Sequence, residues 1–514
     1  MEYLVSAGQM KTYDQYMIEK IGVDSLVLME RVAMATAEEI IKRFSSNEKV
    51  LVVAGCGNNG GDGFTVGRIL QEYGFAVSYI LIGNKEKCSL ETQKQIDITE
   101  KLGNEIKSNI LTEAGEKEEY GIIIDAIFGI GLSREITGIY KTVIEQINAM
   151  KGKVVSIDIP SGIHGDTGAV MGIAVKADLT VTYGYRKMGL VFYPGANYAG
   201  EVICRKIGIF RQNNLEKPEA FCYDLKDFAR IPARIQSGNK GTFGKVLVIA
   251  GSHTMYGACM FSALGAYRSG AGLVRVITAI DNKELLLRHV PEAIVDTYDK
   301  ESGAELTTIL DKGISWADCV VIGPGLGTEK QATEMMQYVL EHTKQPLIID
   351  ADGLNILSEH QEWLLPSGMR KTEALYLTPH MGEFSRLTKK SIKYCKEDII
   401  HLTKTFAKEK QVLLIAKDAR TVVAGPESAL YVNLSGNSGM ATGGSGDVLT
   451  GILAGLLVQG MQGIEAAAMA VYLHGLAGEY ASLKKTEYSV MAGDLLEALP
   501  HVFAEGGKKY DNER

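Results

Sequence analysis

Lys49-Val50-Leu51-Val52-Val53-Ala54-Gly55-Cys56-Gly57-Asn58-Asn59-Gly60-Gly61-Asp62 decides how the first half of the chain is read. A continuous Val/Leu run is apolar on both sides of its pleat, the pattern of a parallel strand covered by helices on both faces. It breaks at a glycine turn that opens a helix. Gly55, Gly57 and Gly60 satisfy G-x-G-x-x-G, in which glycines let backbone N–H groups approach phosphate oxygens at a helix N-terminus. Similar apolar runs follow at Ala76–Ile82, Gly121–Asp125 and Lys153–Asp158, with Asp178–Thr182 and Glu201–Ile207 toward an edge. Helical patterns separate them around Thr65–Glu72, Thr92–Leu102 and Lys141–Met150. Upstream, Thr12-x-x-Gln15 has the form of a capping box, Gly22 of a helix stop and Asp24 of a new N-cap.

The glycine loop alone would suggest a dinucleotide-dependent dehydrogenase. That reading needs an acidic residue at the end of the second strand to hold the ribose hydroxyls. The strand instead ends Ile80-Leu81-Ile82-Gly83-Asn84-Lys85. What the loop carries is Asn58-Asn59-Gly60-Gly61-Asp62, two carboxamides and a carboxylate on one turn. Two later strand ends bring Asp125 with Gly129-Ile130-Gly131-Leu132-Ser133-Arg134-Glu135, and Asp158-Ile159-Pro160-Ser161-Gly162. In an open parallel sheet these loops meet at the carboxyl edge, where ligands bind.

The chain has 514 residues, enough for two domains. It is 46% hydrophobic and 23% charged, with 57 glycines and 11 prolines, which is globular usage and excludes disorder and collagen. A net charge of -8 without a Lys/Arg cluster argues against nucleic acid. Seven dispersed cysteines with no C-x-x-C suggest reduced, buried thiols. No apolar stretch approaches the ~20 residues of a membrane helix. The first ten residues lack a basic region followed by an apolar run, so a cytoplasmic protein is expected.

From about Arg211 to Lys240 the rhythm breaks at Gln212-Asn213-Asn214, Glu216-Lys217-Pro218 and Ile231-Pro232, which marks a linker between domains at 1–220 and 226–510. The α/β alternation restarts with Lys245–Ala250, Leu273–Thr278, Cys319–Gly323, Pro346–Asp350, Ala374–Thr378 and Val412–Lys417, and closes in a helical region, Asp447–Ala481. No G-x-x-x-x-G-K-[ST] occurs, which excludes a P-loop kinase. The glycine-dense run Gly436–Gly446 instead enters a long apolar helix at Asp447. Successive N–H groups there can cradle an oxyanion, with the helix dipole adding to the field.

These motifs carry a resemblance. N-N-G-G-D-G at Asn58, D-A-I-F-G-I-G-L at Asp125 and D-I-P-S-G-I at Asp158, over about residues 8–215, resemble the epimerase half of NAD(P)H-hydrate repair enzymes. The second block, about 225–505, resembles the ADP- or ATP-dependent NAD(P)H-hydrate dehydratase. Its motifs are Gly251-Ser252, Ser269–Val274, Gly323-Pro324-Gly325-Leu326-Gly327, Asp350–Asn355, Thr378-Pro379-His380-Met381-Gly382-Glu383 and the Gly443–Asp447 turn. The resemblance implies an α/β protein, a Rossmann-like three-layer domain followed by a ribokinase-like one, that epimerises the R and S hydrates (NADHX and NADPHX). It would dehydrate the S form with ADP or ATP, and the fused order leans toward ADP.

By the same resemblance, Asn58 to Asp62, Gly129 to Glu135 and Asp158 contact the hydrate, with K⁺ near Asn59, Asp125 and Ser161. In the second domain the hydrate meets Ala258, Gly325, His380 and Asp447. Nucleotide contacts come from Lys417, Asp418, Ala419, Arg420, Thr421 and Gly446, with Mg²⁺ accompanying the nucleotide, and the resemblance implies homo-oligomers. Asp418 stands where glycine is common in the family, and must point away from phosphate or pair with Arg420. Asp158, ending a central strand, is the first choice of acid–base group for the epimerase and Asp62 the second. Asp447 is the base that frees the C6 hydroxyl to attack a phosphoryl group. A competing expectation is a small-molecule kinase of ribokinase-like fold with a non-catalytic N-terminal binding domain.

Overall fold

A computed structural model describes residues 1–108, 119–209, 215–299, 303–365 and 368–512. Its contacts divide into two compact units, Tyr3–Glu219 and a second formed by Ala220–Arg514 with Met1–Glu2.

In the first unit the strands are β1 (Glu2–Val5), β2 (Lys49–Ala54), β3 (Ala76–Leu81), β4 (Ile106–Ser108), β5 (Ile122–Ala126), β6 (Lys153–Ile157), β7 (Leu179–Tyr183), β8 (Arg186–Lys187) and β9 (Glu201–Arg205). The sheet runs β4-β3-β2-β5-β6-β7-β9, and each neighbouring pair is parallel. Helices are α1 (Ala7–Tyr16), α2 (Ser25–Arg43), α3 (Asn58–Glu72), α4 (Leu90–Lys101) and α5 (Gly138–Ala149). The six apolar runs read from sequence are strands within one or two residues at each end. Val50 to Ala54 are all buried, which is why that run shows no alternation. The chain order reverses between β2 and β5, so a crevice opens there at the carboxyl edge.

Three local expectations are corrected. The first helix is capped by Ser6 and Gln9, whose side chains bond the backbone reciprocally, whereas Thr12 lies inside the helix and donates to the Gly8 carbonyl. The third helix starts at Asn58, so Asn58 to Asp62 form its first turn. Gly60 is required there by contact: a Cβ on it would fall 1.9 Å from the Gly55 carbonyl oxygen. The expected linker also contains a strand, β10 (Ala220–Cys222), and a capped turn, Leu225–Arg230; Gln212, Asn213 and Asn214 lie outside the described residues.

The second unit continues with β11 (Lys245–Ile249), β12 (Leu273–Ala279), β13 (Ile294–Tyr298), β14 (Cys319–Ile322), β15 (Leu347–Ile349), β16 (Leu375–Leu377), β17 (Leu413–Ala416), β18 (Val422–Ala424) and β19 (Leu430–Val432). Their order is β13-β12-β11-β14-β15-β16-β17-β18-β19-β10. It is parallel to β17, then antiparallel through β18 to β19. That hairpin went unseen in the sequence: its three-residue strands interrupt the strand–helix alternation that marked the others. Helices are α6 (Gly257–Arg268), α7 (Lys283–His289), α8 (Gly303–Trp316), α9 (Lys330–His342), α10 (Asp352–Glu359), α11 (Met381–Thr388), α12 (Ile392–Glu397), α13 (Ile399–Lys410), α14 (Ser445–Val458), α15 (Gly463–Lys485) and α16 (Ala492–Asn512). The expected closing helical region is two helices, α14 and α15. Among the described residues no helix is long and apolar enough to cross a membrane.

Gly60→Ala is expected to lower the stability of the first unit by at least about 2 kcal/mol, because backbone, not a flexible side chain, blocks the methyl group. Denaturant unfolding followed by circular dichroism checks this, with Gly57→Ala, where nothing lies within 4 Å of the new Cβ, as the tolerated control.

Candidate active sites

In the first unit a cavity of about 740 Å³ opens at the β2/β5 crevice. Its walls include Asn58, Asn59 and Asp62 from the first turn of α3, Gly129 to Arg134 from the loop after β5, and Asp158 after β6. Apolar Leu28, Met29 and Val32 of α2 face them. Three of the expected residues are elsewhere: Gly60 and Gly61 pack under the turn, where a Cβ on Gly61 would strike Met29, and Glu135 is exposed.

Asp158 has φ +69, a conformation costly for a residue with a side chain, although aspartate tolerates it better than most. Its N–H donates to the Val181 carbonyl (2.8 Å), and its carboxylate accepts from Lys187 Nζ (2.5 Å) and Thr182 Oγ1 (3.1 Å). Lys187 is buried, delivered by β8 in parallel register with Val5 of β1, and also donates to the Tyr183 carbonyl. Asp62 and Asp14 line the same cavity. Burial, then the charges of Asp158 and Asp14, raise the Asp62 carboxyl well above the ordinary range. Burial also pushes Asp14 up to about 6 against the pull of Lys187. Asp14 and Lys187 escaped the sequence reading: one sits in an ordinary amphipathic helix, the other in a short strand without apolar periodicity. A lysine between two glycines, in Gly184-Tyr185-Arg186-Lys187-Met188-Gly189, was the available signal.

Asp125 and Ser161 meet deeper in the fold. Asp125 is fully buried, and accepts from Ser161 Oγ (2.5 Å), Ser161 N (2.8 Å) and Ser156 Oγ (2.8 Å). Among the described residues its partners are hydroxyl and backbone N–H groups, and none is a cation. Burial raises its carboxyl accordingly. The Ser161 hydroxyl also lies 3.2 Å from the Phe128 carbonyl, and the buried Asn59 amide nitrogen has no partner. A buried carboxylate among serine hydroxyls, with a backbone carbonyl near one of them, is an oxygen set of the kind a hard monovalent cation takes.

In the second unit α14 begins after Gly444, which is left-handed (φ +87), and no side chain caps it. The Ser445 N–H donates to the Thr442 carbonyl (3.4 Å), and those of Gly446 and Asp447 are available to an anion. Asp447 lies in this first turn. Beneath it Asp350, fully buried at the end of β15, accepts from Lys417 Nζ (2.9 Å) and Thr450 Oγ1 (2.9 Å). Burial opposes the charge on Asp350, but Lys417 overcomes it and holds the carboxyl below its ordinary value. A Cβ on Gly446 would approach Lys417 Nζ to 3.1 Å, so the ammonium lies directly under the helix start. Asp447 is pushed up to about 7 by burial and by Asp350, with Lys417 pulling the other way.

The remaining expected residues sort clearly. Gly325 (φ +59) and Ala258 adjoin each other, since a Cβ on Gly325 would lie 2.9 Å from that of Ala258. His380 caps α11 through Nδ1, which accepts from the Gly382 N–H (2.9 Å), and Glu383 accepts from the His380 N–H (2.8 Å). Lys417 to Thr421 form the turn between β17 and β18. Asp418 pairs with Lys396 (3.3 Å), and Arg420 donates to the Leu434 carbonyl (3.3 Å). The acid in this turn is thus offset by a lysine of α12, which sequence spacing could not indicate. His474, also unforeseen, is buried 3.2 Å from the Ser445 hydroxyl, and burial lowers it to about 4.

Two α/β units, each gathering carboxylates around a buried lysine at the carboxyl edge of a parallel sheet, define a two-site enzyme whose second half is ribokinase-like. Residues 246–501 match the family model described as NAD(P)H-hydrate dehydratase, and residues 25–189 the model described as YjeF-related protein N-terminus. The chain is 34% identical to the bifunctional NAD(P)H-hydrate repair enzyme Nnr of Moorella thermoacetica, over 97% of this chain and 96% of that one. It is 31% identical to the protein of the same name from Escherichia coli, over 94% and 90%. A ribokinase-like superfamily protein of Enterococcus faecalis superposes with a TM-score of 0.50 at 32% identity, covering 57% of this chain and 99% of that one. The chain belongs to the family of bifunctional NAD(P)H-hydrate repair enzymes.

Lys417→Met should destabilise the second unit by about 3–5 kcal/mol, because it leaves Asp350 charged, buried and unpaired. Adding Asp350→Asn should restore part of that loss. Thermal unfolding of the two variants measures both changes.

Proposed function

We propose that the first unit interconverts the R and S hydrates of NADH and NADPH, and that the second returns the S hydrate to NADH or NADPH. The second reaction consumes the terminal phosphoryl of ADP, or of ATP. The observation that carries this reading is Asp447: a carboxyl with a raised proton affinity, set in the first turn of an uncapped helix above a buried lysine.

Hydroxide is a poor leaving group and phosphate a good one. Asp447 takes the proton of the C6 hydroxyl while that oxygen attacks the terminal phosphoryl, whose charge the N–H groups at the start of α14 stabilise. Expulsion of phosphate by the lone pair on the ring nitrogen then breaks the C6–O bond. Mg²⁺ bound with the nucleotide would offset phosphate charge. The turn Lys417 to Thr421, with Gly446, is where the nucleotide would lie, and Ala258, Gly325 and His380 would border the hydrate.

In the first unit the C6 hydroxyl must leave and return on the other face. Asp62, whose proton affinity burial raises, serves as the acid for departure. Asp158, anchored by Lys187 and Thr182, takes the proton of the returning water. Asp14 is a further proton-holding group in the same cavity. The likeness to the epimerase motifs supports K⁺ held by Asn59, Asp125 and Ser161, where it would supply a fixed positive charge. The cytoplasm, and assembly into homo-oligomers, complete the reading.

Purified protein given mixed hydrates with ADP and Mg²⁺ should regain the near-ultraviolet absorbance of reduced nicotinamide from both epimers, with free phosphate. Asp447→Asn should abolish recovery, and Asp158→Asn should leave only the S portion repaired. A stable phosphorylated product without reduced nicotinamide would overturn the proposal in favour of a kinase. Because Asp447 must be unprotonated to act, dehydratase kcat/KM should fall as pH drops below about 7, approaching about tenfold per pH unit on the acid side.

A further inference from the structure

Dehydration of a C6 hydrate removes a hydroxyl from C6 and a proton from C5, and Asp447 accounts for the first of these only. When the ring nitrogen expels phosphate, the electron pair of the C6–O bond leaves with it and N1=C6 forms. The C5=C6 bond returns when a base takes the C5 proton: the C–H pair becomes the new double bond and the N1=C6 pair goes back to nitrogen. By then Asp447 already holds the hydroxyl proton, so a second acceptor is required. We propose that Glu383 is the base that removes the C5 proton.

Glu383 stands in the first turn of α11, one residue beyond the His380-Met381-Gly382 stretch that would border the hydrate. Its side chain is 6% exposed. The Oε2 atom accepts from the His380 N–H (2.8 Å), and Oε1 lies 3.2 Å from His380 Nε2. Because His380 Nδ1 is an acceptor for the Gly382 N–H, the ring proton of a neutral imidazole resides on Nε2, the nitrogen nearer Glu383 Oε1. The imidazole has no free lone pair in this arrangement. The His380 backbone N–H orients Glu383, and the carboxylate is the acceptor. Burial, then Lys417, also lower the proton affinity of His380, which keeps it neutral.

Lys417 links this carboxylate to Asp447. Its N–H donates to the Pro379 carbonyl (2.8 Å), which ties the His380–Glu383 turn to β17, and its ammonium lies under Gly446. Glu383 is among the charges that raise Asp447, so the two carboxylates share one field. A capping box needs only a hydrogen-bond acceptor at this position, which glutamine supplies equally. A carboxylate held in a dry niche exceeds that need. Burial pushes Glu383 up to about 7, a useful strength for a base near neutral pH.

The inference rests on the dehydratase reading above, and the experiment separates the two. Native full-length protein and Glu383→Gln are given the S hydrate with ADP and Mg²⁺, and phosphate and reduced nicotinamide are followed together. Native protein should release one phosphate per reduced nicotinamide. In Glu383→Gln the iminium outlives phosphate departure and recaptures water at C6, so phosphate should exceed reduced nicotinamide severalfold. Glu383→Asp should bring the ratio back toward one, and a substrate deuterated at C5 should slow nicotinamide recovery more in Glu383→Gln than in native protein. A ratio of one in Glu383→Gln, whether its rate is native or reduced, assigns Glu383 to capping and overturns the inference. Absence of reduced nicotinamide with native protein overturns the dehydratase reading itself.

Discussion

The ammonium of Lys417 sits among carboxylates that could not otherwise share the end of one sheet. Asp350 and Glu383 are buried, and Asp447 is half-buried. Like charges at this separation in a poor dielectric repel by several kcal/mol. Lys417 bonds Asp350 directly, and that pair in turn holds Thr450, Gly446 and the start of α14 in place. The cost of dehydrating an ion pair makes this a poor source of stability. Its effect is to divide the carboxyls into two kinds: Asp350 stays charged, while Asp447 and Glu383 exchange protons near neutrality.

The first unit also sets a lysine among carboxylates, with different parts. Lys187 is bonded to Asp158, whose backbone is held in the left-handed region. Asp62 and Asp14 face the same cavity without a bonded cation of their own among the described residues, and their proton affinities rise. Three carboxyls and a lysine thus face one cavity, the kind of set that general acid–base chemistry draws on. Asp125 is the exception: it is fully buried and paired with hydroxyls and a backbone amide.

Much of the fold could be read from apolar runs, because a strand buried on both faces leaves an unbroken signature. The runs at Lys49, Gly121 and Lys245 each became a central strand. Some short strands left none: β8, with two residues, and the β18–β19 hairpin were missed, and β8 delivers Lys187. The site was legible where chemistry and glycine occur together in sequence, as at Asn58–Asp62 and Gly443–Asp447. It was illegible where a partner arrives from far away in the chain, as Lys396 does for Asp418 and Lys187 for Asp158.

By itself the sequence determined the two α/β blocks, the glycine turns at their carboxyl edges and the aspartates beside them. Each of these depends on neighbours within a few residues, through burial periodicity and backbone freedom. Which carboxyl is a proton donor and which an acceptor was decided by tertiary structure alone. Proton affinity depends on desolvation and on charges a few ångströms away, and Asp350 and Lys417, 67 residues apart in the chain, meet at 2.9 Å.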